Sequence, residues 1–261
     1  MAKAFWKGVI SFGMVVIPVK MYVATETKSI SFHVLHKKCF TRPKQIWHCD
    51  QDDEYFSSNE TIRGYEYAKD QYIILDEEDF KKVLIKSAHS INIFGFVTEQ
   101  EIDPKYYQNS HYLEPESLGA KPFSLLNAVL TKTKRVGIAK VTFQRREHLC
   151  ALRPLDSILA LHSLFYSDEI LNHSDLIQSD QKHTNEEMEM ATSLINAMTT
   201  PFKPEEYRDE YKKSLKKMIE AKMKGIEIKV PEEPKIIIPD LMAALKASLT
   251  EAKKKREVAA V

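Results

Sequence analysis

The run from Val136 to Leu164 constrains the fold most. Three apolar-rich segments, Val136–Phe143, Leu149–Arg153 and Ile158–Leu164, follow one another with only short polar breaks. Short, β-branched, apolar runs bounded by turn residues read as strands. Gln144-Arg145-Arg146-Glu147 joins the first two as a hairpin tip exposing two arginines. Upstream, Val15–Val23 alternates, with Val15, Ile17, Val19, Met21 and Val23 on one face and Lys20 and Tyr22 on the other. Pro18 within that run predicts an edge or a bend. Ile30–His36 alternates again, Ile30, Phe32 and Val34 opposing Ser31 and His33. Ile62–Leu75 reads as two short strands with Gly64 and Asp70 near the breaks, and Ile91–Val97 as another. Two helices interrupt this pattern. One starts at the acidic Asp76-Glu77-Glu78-Asp79, which suits the positive end of a helix dipole. The other spans Lys121–Thr131, with Phe123, Leu126 and Leu130 at helical spacing and Pro122 in its first turn. The fold class expected is mixed α+β, mainly β, with a barrel or curled sheet up to about Tyr166.

Composition changes after Ser167. Asn172–Thr184 is polar and loop-like. Asn185–Met198 carries Met188, Ala191, Leu194, Ile195 and Met198 on one helical face. Pro204–Lys224 repeats the pattern with Tyr207, Tyr211, Leu215, Met218 and Ile219, Pro204 at its start and Gly225 just past its end. Lys229–Pro239 is an extended, proline-rich connector, and Leu241, Leu245 and Leu249 mark a last helix that fades into Lys253–Arg256. Three regions are expected: a core over 1–170, a helical segment over 171–225, and a connector, short helix and small basic tail over 226–261. The apolar helix stripes either pack on their own core or cross to a second subunit.

The formal net charge of +1 hides strong local asymmetry. From Met1 to Cys49 there are eight Lys/Arg and one acid, Glu26; from Lys121 to Arg153 there are again eight and one, Glu147. Thr27–Cys49 holds Lys28, Lys37, Lys38, Arg42 and Lys44 and no acid, and the next thirty residues reverse the sign with eleven acids against Arg63 and Lys69. Two separated basic blocks read as two sides of one polyanion surface. The plainer alternative is two solvated faces. Lys20, Lys28, Lys37, Lys38, Arg42, Lys44 and Arg63 belong to the first side, and Lys132, Lys134, Arg135, Arg145 and Arg146 to the second. No helix-turn-helix presents base-reading side chains, so readout of phosphate and shape is expected.

Other chemistries are weaker. The acids of Asp76–Asp79 suit a metal-dependent nuclease in type, but adjacent helical positions diverge, and dipole complementarity explains them more simply. Cys39, Cys49, His33, His36 and His48 include zinc-binding types, yet the two cysteines lie ten apart with no CxxC pair. The alternative is a small buried cysteine beside cationic or stacking histidines. Neither metal nor cofactor is expected. Phe32, Phe40 and Trp47 in the basic stretch suit packing better than stacking on bases. Three cysteines at this length indicate a reduced cytosolic compartment, and no apolar run approaches a bilayer span. The N-terminus does not read as a signal peptide.

The chain resembles the bacterial Ku family, DNA-end-binding factors of non-homologous end joining. The resemblance rests on FWKGVISFGMVVIPVKMYVATE (Phe5–Glu26), FHVLHKKCFTRPKQIWHC (Phe32–Cys49) and IRGYEYAKDQYIIL (Ile62–Leu75). In the same order follow Ile91–Glu116, Pro122–Pro154, EMEMATSLINAM (Glu187–Met198) and Phe202–Lys222. It covers roughly residues 4 to 225. It implies a Ku-type β-barrel with an inserted bridge (about 29–70) and a helical C-terminal arm. It further implies a homodimeric ring threaded onto double-stranded DNA ends, sequence-independent and without catalytic activity. An ATP-dependent DNA ligase of the ligase D type would be its partner. Localisation would be cytoplasmic and nucleoid-associated, with no membrane contact. Two further readings stay open: a protein-protein adaptor, and a nuclease using Asp76–Asp79.

Overall fold

In chain order the elements are β1 (Trp6–Phe12), β2 (Val15–Val23), β3 (Trp47–Cys49), β4 (Glu54–Phe56), β5 (Arg63–Ala68), β6 (Gln71–Leu75) and α1 (Glu77–Lys82). Next come β7 (Ser90–Thr98), β8 (Tyr107–Pro115), α2 (Ala120–Thr133), β9 (Arg135–Phe143), β10 (Arg146–Leu155) and β11 (Ile158–Leu164). Three helices end the chain: α3 (Asn185–Met198), α4 (Glu210–Met223) and α5 (Leu241–Ala259). The computed structural model describes residues 3–82, 89–144, 146–174, 176, 181–226 and 240–259. Arg145 and the connector 229–239 lie outside the described residues. The chain forms two compact units, Met1–His173 and Ser174–Val261.

Seven strands close into a barrel in the order β1-β2-β8-β11-β10-β9-β7. The one parallel pairing among these neighbours is the seam, where Val9, Ile10 and Ser11 of β1 face Ser90, Ile91 and Asn92 of β7. Alternation drives one face of each strand inward. Ile17, Val19 and Met21 are buried, as expected for β2, and meet Ile10, Ile91, Leu113, Val141, Leu152 and Leu161 in one core. Burying side chains of this size stabilises the fold by ~1.5–3 kcal/mol each. A smaller apolar cluster of Val136, Ala151 and Leu164 is covered by Ile102, Tyr106 and Tyr107 from the β7–β8 connection.

Registers define two barrel ends. At one end lie the β1–β2 turn, the β10–β11 turn and the start of β9. The helix α2 touches β2, β9, β10 and β11 there, so it lies across that end. Phe123, Leu126 and Leu130 point into the core, and Asn127 Nδ2 donates to the carbonyls of Asp156 and Ile158. Gly119 allows the approach: a Cβ there would sit 2.8 Å from the Pro18 carbonyl oxygen. At the opposite end lie Val23, the start of β7 and the β9–β10 turn. The chain leaves the barrel after Val23 and re-enters it at Ser90, both at this second end.

Several expectations are corrected. Ile30–His36 is not a strand; it pairs with no strand, and Phe32 and Val34 are 68% and 78% exposed. Alternation supplies a face, and only a neighbouring strand makes a ladder. Pro18 is not at a sheet edge, because β2 pairs β1 on one side and β8 on the other. It is tolerated because its carbonyl accepts from Glu116 N, on the β8 side, just beyond the last paired residues Val19 and Pro115. The absent N–H points to the same side, where the ladder has ended. The β9–β10 connection is tighter than Gln144–Glu147: Arg146 already pairs Phe143, and Gln144 takes a left-handed conformation (φ 52). Pro204 opens a separate short turn, and α4 begins six residues later with Asp209 capping Lys212 N. Gly225, with φ 71, ends α4 as expected.

In the second unit, α3 occupies the expected Asn185–Met198, its Thr184 cap accepting from Glu187 N. The helices α3 and α5 pack together. Neither α3 nor α4 has a fully buried residue, and Met188, Ile195, Met198, Tyr207 and Tyr211 stay exposed.

Candidate nucleic-acid interface

The excursion between β2 and β7 forms two hairpins, β3–β4 and β5–β6, each paired only with itself. Asp53 and Asp70 take the left-handed turn conformation, φ 50 and 59. Between Tyr55 and Ile74 most side chains are exposed, including Tyr65, Tyr67 and Tyr72.

The basic stretch occupies the first part of this excursion. It folds on itself once: His36 N donates to Thr41 O (2.9 Å) and Phe40 N to His36 O (2.8 Å), with Phe40 at φ 56. Lys37 and Lys38 sit on this turn and Arg42 and Lys44 just after it, all exposed. Inside the turn, Cys39 Sγ lies 3.0 Å from His36 Nδ1 and 2.9 Å from Thr41 Oγ1. The Thr41 hydroxyl, then its backbone amide, then His36 favour the thiolate, and the Cys39 thiol is pulled down to about 7. Cys39 is therefore exposed and activated, whereas Cys150 is buried in the barrel and pushed up to about 12 by burial. The one sequence signal for the Cys39 contacts was the close spacing of His36, Cys39 and Thr41.

The remaining candidates divide. Lys28 lies 3.9 Å from Glu26, and Arg63 lies 3.9 Å from Glu77 with its guanidinium 5.3 Å from the centre of the Phe80 ring. Lys20 stands on the outer face of β2, opposite Glu114 of β8, which accepts from Tyr22 Oη at 2.5 Å. Lys132, Lys134 and Arg135 cluster where α2 ends and β9 begins, with Lys134 as a left-handed C-cap (φ 52). Arg146 lies at the other end of β9, about 26 Å away at ~3.3 Å per strand residue, and is ion-paired to Glu169. The fold thus gathers Lys37, Lys38, Arg42 and Lys44 on and beside one turn, leaves Lys20 on the barrel and Arg63 on the β5–β6 hairpin, and splits the second block between two barrel ends. Trp47 packs on Phe56, ring centres 6.4 Å apart, while Phe32 and Phe40 remain exposed.

The acids of Asp76–Asp79 form a reciprocal cap. Asp76 Oδ1 accepts from the amides of Glu78 (2.9 Å) and Asp79 (2.8 Å), and Asp79 Oδ2 accepts from Asp76 N (3.2 Å). The Lys82 ammonium, then the Asp76 amide, hold the Asp79 carboxyl below its usual range. Capping explains these carboxylates. Among the described residues, no group of three or more His, Cys, Asp or Glu converges on a metal position. His48 instead spans Asp50 and Asp53, 3.0 Å from each. No helix among the described residues is long and apolar enough to cross a membrane.

A closed mixed barrel with a long basic insertion between its second and next strand defines a class, and a family model described as the Ku70/Ku80 beta-barrel domain matches residues 11–190. Whole-chain relatives agree. A "Non-homologous end joining protein Ku" from Solibacter usitatus is 38% identical over 258 residues, 98% of this chain and 97% of that one. One from Desulfitobacterium hafniense is 41% identical (97% and 90%), and one from Archaeoglobus fulgidus 42% identical (96% and 100%). The chain belongs to the Ku family of non-homologous end joining proteins.

Proposed function

We propose that this chain binds double-stranded DNA ends as a homodimeric ring, without reading sequence and without catalysing a reaction. It protects and bridges breaks in the nucleoid of the cytoplasm and recruits an ATP-dependent DNA ligase of the ligase D type. The observation that carries this reading is the excursion 24–89, which leaves one barrel end and holds Lys37, Lys38, Arg42 and Lys44 exposed in a stretch free of acids. Such a segment is suited to lie along phosphates, and among its described residues no helix is placed to probe base edges. Lys20, Lys28 and Arg63 would add to this wall. Lys132, Lys134 and Arg135 would reach the same duplex only where it runs the length of the barrel. The exposed apolar side chains Met188, Ile195 and Met198 of α3 and Tyr211 of α4 support a second subunit, since such faces normally find a partner.

Threading has a topological test. A gel shift should show binding to linear duplex and none to covalently closed circles of the same sequence; equal binding to both would refute the ring. The nuclease reading is disfavoured because Asp76 and Asp79 cap a helix.

A further inference from the structure

We propose that the barrel end crossed by α2 carries a docking groove for a short segment of a partner protein, apolar in its anchors and acidic in its flanks. A groove of about 590 Å³ lies between α2 and the rim of β1, β2 and β7. Its walls are Phe12, Val15, Phe96, Pro122, Leu125 and Val129. Leu125 is 66% exposed, Val129 47% and Phe96 45%, although each is large and apolar. Isolated apolar side chains on a surface need no explanation, but a contiguous concave set marks a binding surface. A turn of amphipathic helix, with anchors at i, i+3, i+4 and i+7, is the shape such a groove accepts.

Charge selects among occupants. No acid occurs from Lys121 to Arg135, and four cations do: Lys121, Lys132, Lys134 and Arg135. Arg135 itself lines the groove. Its charge is partly offset by Glu101, whose carboxyl is held down first by the Thr98 hydroxyl and amide and also by Arg135. Lys121, Lys132 and Lys134 have no ion pair among the described residues. The helix therefore presents apolar anchors inside a cationic frame, complementary to a segment with acidic flanks and repulsive to one with basic flanks. The groove lies at the barrel end opposite the point where the basic excursion leaves, so its apolar anchors stand apart from that excursion, while Lys132, Lys134 and Arg135 are shared with the second basic block.

The probes are two fluorescein-labelled helical peptides of about four turns with leucines at i, i+3, i+4 and i+7, one flanked by glutamates and one by lysines. Fluorescence anisotropy with the full chain should show the acidic peptide bound at least about tenfold more tightly. Leu125→Asp or Val129→Asp should weaken it about tenfold or more, because a buried anchor is replaced by a charge. Lys132→Glu with Lys134→Glu should reverse the preference. Affinity for linear duplex, measured on Leu125→Asp and Val129→Asp, should stay within about twofold, which also shows that these two fold; the lysine variant should keep the wild-type thermal midpoint. Equal binding of both peptides, or acidic-peptide binding unaltered by Leu125→Asp, would overturn the proposal. So would light scattering showing that Leu125→Asp dissociates a dimer, since the groove would then join two copies of this chain.

Discussion

Replacing Lys37, Lys38, Arg42 and Lys44 together by Gln should flatten the salt dependence of duplex binding by an amount that can be worked out beforehand. All four are exposed in a stretch with no acid, so they meet a phosphate without first leaving a partner carboxylate. Lys28 and Arg63 are left out because Glu26 and Glu77 each lie 3.9 Å from them. Each phosphate neutralised on B-form DNA contributes about 0.9 to the slope of log affinity against log salt, so four contribute about 3.6 per protomer in contact. Between about 50 and 200 mM salt, about 0.6 log units, that share corresponds to roughly 150-fold in affinity per protomer. The assay is anisotropy of a labelled linear duplex titrated at several salt concentrations, wild type against the quadruple variant. The exposed positions should leave the thermal midpoint unaltered, which separates lost contacts from lost folding. A slope equal to the wild type would show that this turn makes no phosphate contact. A uniform loss at every salt concentration, with the slope preserved, would show that these residues act otherwise than by charge.

Three further outcomes are expected. Burial lowers the imidazole pKa values of His111, His148 and His162, so each is favoured neutral in the folded barrel. Their stability contribution is full above the unfolded value near 6.5 and is lost as pH falls below it; urea midpoints should drop from pH 7.5 to 5.5, and His111→Phe should make that drop shallower. Iodoacetamide at pH 7 should label Cys39 far faster than Cys150, because a thiol near 7 is about half ionised there and one near 12 is not; equal rates would refute the His36–Thr41 network. Gly119→Ala should cost ~1–3 kcal/mol in urea denaturation, since its Cβ would press on the Pro18 carbonyl and the Ile17 side chain; an unchanged midpoint would show that the α2 entry relaxes freely.

Much of the barrel is written in local periodicity. Ile17, Val19 and Met21 of β2, and Phe123, Leu126 and Leu130 of α2, alternate or repeat as their burial does. The helix α3 likewise shows its limits through Thr184 and Glu187, a reciprocal cap with a visible spacing. What local pattern misses is pairing. Phe32 and Val34 alternate like core residues yet have no strand beside them. The polar β8, Tyr107–Pro115, is held between β2 and β11 and buries only His111 and Leu113. The candidate interface divides in the same way. Thr27–Cys49 was legible because charge is counted along the chain. The pairing of Arg146 with Glu169, twenty-three residues on, and the separation of Arg135 from Arg146 along β9 depend on the fold.

The parallel seam between β1 and β7 makes the basic excursion, to the barrel, simply a long loop. Both its ends are anchored at one rim by Val23 and Ser90, and neither hairpin joins the barrel ladder. Closing a loop costs free energy that grows only with the logarithm of its length, about 0.6 kcal/mol for each doubling. That is less than the loss of one buried methylene from the barrel core, about 0.8 kcal/mol. Insertions, deletions and charge changes in the excursion therefore scarcely touch the stability of the scaffold. Selection is free to reshape the part proposed to face nucleic acid while the barrel that carries it stays the same.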